Sequence, residues 1–274
     1  MRLRPKEMKL TIRPTRELRK KRCMRISMLM TIALANVGVA EEQPSTGDTK
    51  YEAHLGAGPY IQSQPYRGAD PKVVPSPVIF FDNRLFYVRW ARVGMYFYGG
   101  ENWGASVTAQ PRPFGYRAKD SPALAGMAER QNSWEAGFAV AGRNDVGFAE
   151  LTYFHDILDR STGSLARLEL GTSIASGRWL HVPSILVLWF SDSFNDYYYG
   201  VRPEESTAQR PAYSAEAGIN FALQEFVMVP LSKDWFVSAE VRADYLASTI
   251  TSSPIVDDRW MLSGMVSLLY RFTF

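Results

Sequence analysis

Cysteine is almost absent from this chain. The single residue, Cys23, sits in a basic leader, so no disulfide framework and no cysteine-based metal site is available downstream. Histidine is nearly as scarce: His54, His155 and His181 show no metal-ligand spacing. A run of about 18 uncharged apolar residues is also missing, which excludes helical membrane spans. Beyond residue 25 the chain lacks an excess of positive charge. Residues 1–25 hold eleven Lys/Arg against two Asp/Glu, and the remainder holds 20 against 26, so the formal net charge of +3 belongs to the leader. A body of negative charge argues against DNA or RNA as a partner.

The leader has the form of an export signal. Lys20-Lys21-Arg22 and Arg25 precede an uncharged stretch from Ile26 to Ala40, with Gly38 and Ala40 at the −3 and −1 positions for cleavage after Ala40. Its fifteen residues are short for a membrane span. Residues 1–40 are therefore read as a signal peptide for export through the inner membrane, with Met24 as an alternative start. Residues 41–50, with Pro44, Ser45, Thr46 and Gly47, read as a flexible tail. Residues 51–274 remain as the folded body, and they hold all 7 Trp, 14 Tyr and 15 Phe.

The body alternates apolar and polar residues with period two. In 260–274, Trp260, Leu262, Val266, Leu268, Tyr270, Phe272 and Phe274 share one face against Ser263, Ser267, Arg271 and Thr273. Met261, Met265 and Leu269 make the second face partly apolar. In 235–246, Trp235, Val237, Ala239, Val241, Ala243 and Tyr245 oppose Ser238, Glu240, Arg242 and Asp244. Segments 132–143, 164–174 and 213–223 repeat the pattern, each with an apolar row opposite charges. Period alone fits a soluble sandwich as well as a membrane barrel. The export signal, the long strands and the aromatic residues at both ends of the apolar rows favour an all-β, antiparallel transmembrane β-barrel.

Short connections near 82–83, 99–102, 142–145, 176–177 and 232–234 alternate with long ones at 62–72, 111–131, 156–163, 191–212 and 248–259. That asymmetry is expected of periplasmic turns and outer loops. A further turn near Ala91-Arg92 gives twelve strands, an even count, with ten as the next choice. The charges expected in the lumen are Glu135, Arg143, Arg167, Glu169, Glu216, Glu240, Arg242, Asp244 and Arg271.

Four stretches carry a family resemblance: Leu55-Gly56-Ala57-Gly58-Pro59 with Tyr66-Arg67-Gly68 and Val73-Val74-Pro75; Asp82-Asn83-Arg84-Leu85-Phe86; Asp196-Tyr197-Tyr198-Tyr199-Gly200-Val201; and Ser253-Pro254-Ile255-Val256 with Tyr270-Arg271-Phe272. Together they resemble the MltA-interacting protein (MipA)/OmpV family of Gram-negative outer membrane proteins. The resemblance implies residence in the cell outer membrane, in contact with its lipid and lipopolysaccharide. It also implies a scaffold role linking a lytic transglycosylase to a peptidoglycan synthase. The final strand ending at Phe274 resembles the signal read by the barrel insertion machinery.

An enzyme is not expected. His155-Asp156, with Ser161 and Ser164 nearby, lacks a nucleophile motif, and no catalytic, cofactor-binding or metal-binding residue is assigned. Asp192, Asp196, Glu204, Glu205, Asp257 and Asp258 read as solvated loop residues, with divalent-cation bridges to lipopolysaccharide as the alternative. A small-solute pore remains open as a second function. Surface adhesion through Tyr197, Tyr198 and Tyr199 is a third, and the same tyrosines equally suit anchoring of their loop to the barrel rim.

Overall fold

The computed structural model describes residues 51–274. The expected signal peptide and tail lie outside the described residues. Thirteen strand segments run β1 (Glu52–Gln62), β2 (Lys72–Asp82), β3 (Phe86–Arg89), β4 (Arg92–Gly99), β5 (Trp103–Arg112), β6 (Ser133–Arg143), β7 (Phe148–Asp156), β8 (Ser164–Gly171), β9 (Ile174–Ser176), β10 (Trp179–Phe190), β11 (Gly218–Pro230), β12 (Trp235–Tyr245) and β13 (Trp260–Thr273). β8 and β9 both pair with β10 and form one interrupted stave, so the wall has twelve. Each stave pairs antiparallel with its sequence neighbours, and β13 pairs with β1 to close the ring.

Closure follows from the solvent. Hydrocarbon offers no hydrogen-bond partner to a free strand edge, so the last strand must find the first. The seam runs from Glu52↔Thr273 to Gln62↔Ser263. Two glycines permit it: a Cβ at Gly56 would lie 1.9 Å from the Leu268 carbonyl oxygen, and one at Gly58 would lie 1.7 Å from that of Val266. The twelve-strand reading holds, and its strand limits match to within a few residues for most staves. The extra turn falls at Trp90-Ala91, where Trp90 takes a positive φ of 56°.

The outward face is apolar. Phe138, Val140, Leu168, Leu170, Leu223, Val241, Leu262, Val266 and Leu268 are exposed on it. Aromatic pairs bound this band: Trp235 packs on Tyr270 at 5.1 Å and Tyr98 on Trp103 at 4.4 Å at the short-turn end, and Tyr245 packs on Trp260 at 5.0 Å at the other. Ten residue steps separate Trp235 from Tyr245, about 33 Å along a strand. Tilted as barrel strands are, that gives an apolar band of about 25 Å.

Two expectations are corrected. The strand expected from 213 begins only at Gly218. Tyr213 instead bridges Val201 within the outer loop, and Glu216 is an exposed loop residue rather than a luminal charge. Alternation in 213–217 continues the strand's pattern by sequence, but the backbone there is held by Asp196 Oδ1, which accepts from Ala215 N at 3.0 Å, and by Thr249 Oγ1, which accepts from Glu216 N at 2.7 Å.

The seam makes a direct prediction. Gly58→Val should leave no closed barrel, because its Cβ meets backbone rather than a side chain that can turn aside. The heat-modifiable shift on gel electrophoresis should disappear, whereas Val241→Ala on the lipid face should keep it.

Candidate functional site

The site is the lumen and its outer mouth. Period-two alternation aims alternate side chains inward, and these fill the barrel in two unlike halves. Along β10–β13 and the start of the chain, Val78, Leu180, Val182, Phe226, Met228, Phe236, Met265 and Leu269 pack into an apolar cluster. Met265 and Leu269, which blur the alternation of the last strand, belong to this plug.

The opposite half is ionic. Glu150 is 2% exposed and accepts from Arg92 at 2.5 and 2.9 Å, from Arg167 at 2.6 Å and from Arg89 at 3.3 Å. Arg89 also reaches Asp82 at 3.4 Å, and Tyr96 donates to the same carboxylate at 2.8 Å. Higher in the barrel Glu135 accepts from Arg112 and, at 3.1 Å, from Gln110. Across the lumen Arg242 grips Asp244 through two hydrogen bonds of 2.9 and 2.5 Å. Buried charges of this kind persist only when paired.

Of the luminal charges expected from sequence, Glu135, Arg167, Glu169, Glu240, Arg242, Asp244 and Arg271 lie on inward faces, and Arg143 ends β6 at the short-turn rim. Sequence reading missed Glu150, Arg89, Arg92 and Arg112. Glu150 was legible as an even position in β7, whose inward row runs Glu150, Thr152, Phe154 and Asp156. The three arginines sit on β3, β4 and β5, where short strands and proline obscure the period.

The mouth is closed by the outer loops. After β10 the chain forms helix α1 (Asp192–Tyr199), capped by Ser191, whose Oγ accepts from Phe194 N at 3.3 Å. The helix drops Phe194, Tyr198 and Tyr199 into the barrel, all buried. Phe190 meets Phe194 at 4.6 Å, and Tyr66 from the first loop meets Tyr116 at 5.0 Å and donates to the Tyr198 carbonyl at 3.2 Å. Ile255 and Val256 complete the cluster, while Ser253 donates to the Tyr199 carbonyl at 2.6 Å. The tyrosine block therefore anchors its loop to the barrel. Three of the four sequence blocks singled out above converge here.

An ion pair locks the cap. Arg130 is 2% exposed and donates to both Glu205 oxygens at 2.9 and 2.8 Å and to the Tyr197 carbonyl at 2.8 Å. Glu205 is thus no solvated loop residue. Burial alone would raise its pKa, but hydrogen bonds from Arg130 and from the Ala128 and Arg202 backbone outweigh that and bring it down to about 2. His155 and Asp156 point to opposite sides of β7. His155 is exposed and meets Ser164 Oγ at 3.0 Å, while Asp156 is buried and holds Ser133 and Ser161. They do not form an acid–base pair. Among the described residues no group of three His, Cys, Asp or Glu is placed to hold a metal ion.

The comparisons agree with this architecture. A family profile described as "MltA-interacting protein MipA" matches residues 55–272. The chain belongs to this family. It is 30% identical over 223 residues to the MltA-interacting protein of Escherichia coli K12, covering 80% of this chain and 89% of that one. It is 27% identical over 227 residues to the putative outer membrane protein YiaT of the same organism, covering 82% and 92%. The match to OmpV of Vibrio cholerae is 28% over 159 residues, covering 57% and 61%. This MipA/OmpV-family chain is an outer membrane β-barrel with charged and apolar side chains packed across its lumen and a cap locked over its mouth.

Two predictions follow from the charges. Glu150→Ala leaves three arginines facing one another in the lumen and should cost about 3–5 kcal/mol in denaturant unfolding. For the cap, Glu205 has a folded pKa below the ordinary 4.5. Its stabilisation is therefore complete above pH 4.5 and is lost as pH falls toward about 2. Hydrogen exchange in residues 191–217 should stay slow at pH 5 and accelerate selectively below pH 3, and Glu205→Gln should remove that dependence.

Proposed function

We propose that the protein is a non-enzymatic interaction scaffold of the outer membrane, contacting murein-processing enzymes from its periplasmic rim. The observation that carries this reading is the obstruction of the barrel axis at successive levels. The α1 cap, the Glu150 arginine cluster and the apolar plug leave a wall and a rim as the working surfaces rather than an open pore. The name of the Escherichia coli relative, MltA-interacting protein, favours a lytic transglycosylase as the partner class.

The short-turn end has a surface for such contact. Leu85 at the β2–β3 turn, Val146 at β6–β7 and Leu231 at β11–β12 are 59%, 82% and 55% exposed. Charged turn residues Asp145, Arg178, Lys233 and Asp234 surround them. Apolar anchors within a polar rim suit protein recognition better than free solvent.

The test has two arms. Planar-bilayer recordings of the folded barrel should show no steady conductance, and regular ion-dependent steps would overturn the scaffold in favour of the pore. Binding to an immobilised lytic transglycosylase should be saturable and should weaken at least tenfold in Val146→Asp/Leu231→Asp. Equal binding by that variant, with heat-modifiable migration intact, would remove the rim from the proposal.

A further inference from the structure

Among the described residues the barrel wall has a long gap in its outer half. β3 has four residues, and the β3–β4 hairpin turns at Trp90-Ala91, level with Ile79 of β2. Trp90 N donates to the Ile79 carbonyl at 2.8 Å, and above that bond β2 continues for seven residues, Lys72 to Val78, paired only with β1. On the other side β4 leaves β5 after Ala109, so Gln110, Pro111 and Arg112 pair only with β6. Among the described residues no ladder joins β2 to β5. The result is a window in the wall. Trp90 Nε1, donating to Ser76 Oγ at 2.8 Å, forms its sill, and Lys72 Nζ, donating to the Gly115 carbonyl at 2.8 Å, forms its lintel.

An unpaired edge facing lipid is costly, and this one is built for exposure. Backbone groups alternate direction along a strand. Pro75 lies opposite Pro59, so that pair exchanges no hydrogen bond with β1, and positions 73, 75, 77 and 79 direct their backbone groups to the free edge. Pro75 and Pro77 thus remove donors where no partner exists. Pro111 does the same on the β5 edge. The Pro77 carbonyl is met by Ser76 Oγ at 3.1 Å. Such prolines also oppose the addition of a partner strand.

The window opens on a cavity of about 520 Å³, within the range of small-ligand sites. One continuous lining joins the outward Pro75, Pro77 and Ala91 to the luminal Phe226, Met265 and Arg242. Phe80 and Trp90 make its near wall apolar. Lys72 stands at the upper lip, with one ammonium proton given to Gly115 and two left for another acceptor.

We propose that this window is a lateral port through which a single-chain amphiphile with an anionic head enters the luminal cavity from the outer leaflet. Its tail passes between the prolines toward Phe80 and Phe226, and its head stays at Lys72. The port is independent of the periplasmic rim, so it does not stand or fall with the scaffold reading.

cis-Parinaric acid, a fluorescent single-chain carboxylate, tests the port on the exported protein in lipid nanodiscs. Saturable binding with tryptophan-to-probe energy transfer is expected. Lys72→Glu and Ala91→Trp should each weaken it at least tenfold, and Val241→Trp on the far lipid face should not. Laurate should compete and dodecyltrimethylammonium should not. Because variants can misfold, an exported Ser76→Cys protein, whose body holds no other cysteine, is also labelled after folding with a bulky maleimide, which should abolish binding. Non-saturable partitioning, or binding that survives the Ser76 block, overturns the port. Competition by the cation alone overturns the assignment of the head.

Discussion

Backbone hydrogen bonding in a solvent that supplies no partners is the constraint on which this structure rests. A sheet that must leave no edge becomes a ring, and the ring fixes almost everything else: an even number of staves, both ends of the sheet at the short-turn side, and side chains sorted strictly by parity. The glycines at 56 and 58 are where this constraint is most local, since the seam forms only because no Cβ stands between β1 and the carbonyls of β13. The departure between β2 and β5 is informative because prolines replace donors that would otherwise be stranded.

Parity then sets a second problem, which the lumen solves. Inward side chains of a twelve-stave barrel must either line water or pack on one another. Here the chain divides the task, with an apolar cluster against β10–β13 and arginine–carboxylate groups against β3–β8. The three arginines around Glu150 converge on one buried carboxylate, with Asp82 as a second partner for Arg89 and Glu169 for Arg167. Outside the membrane the same logic recurs in the cap. Arg130 and Glu205 come from different outer loops and exclude water only when both loops are seated, so the ion pair couples the loops that close the mouth.

Much of this was legible. The alternation in 235–246 and 260–274 placed outward and inward rows correctly, and the asymmetry of long and short connections oriented the barrel. A turn near Ala91-Arg92 was legible from parity, since without it the count was odd, and it falls one residue earlier. Errors arose where local pattern and tertiary contact diverged. Residues 213–217 alternate like the strand that follows, yet Asp196 and Thr249 hold them in the loop. Glu205 reads as one of several loop acids, and nothing in its neighbours announces Arg130, seventy-five residues earlier. His155 and Asp156 are adjacent in sequence, and β geometry sends them to opposite faces.

The sequence by itself determined the class of solvent the body meets, the strand count, the parity of the clearly alternating staves and membership of the family, because these depend on period, length and local turn chemistry. The tertiary structure alone decided which charges meet, that three sequence blocks converge in one cap, and that a short hairpin leaves a window above it. Those outcomes depend on register and on contacts between distant segments, which no local pattern encodes.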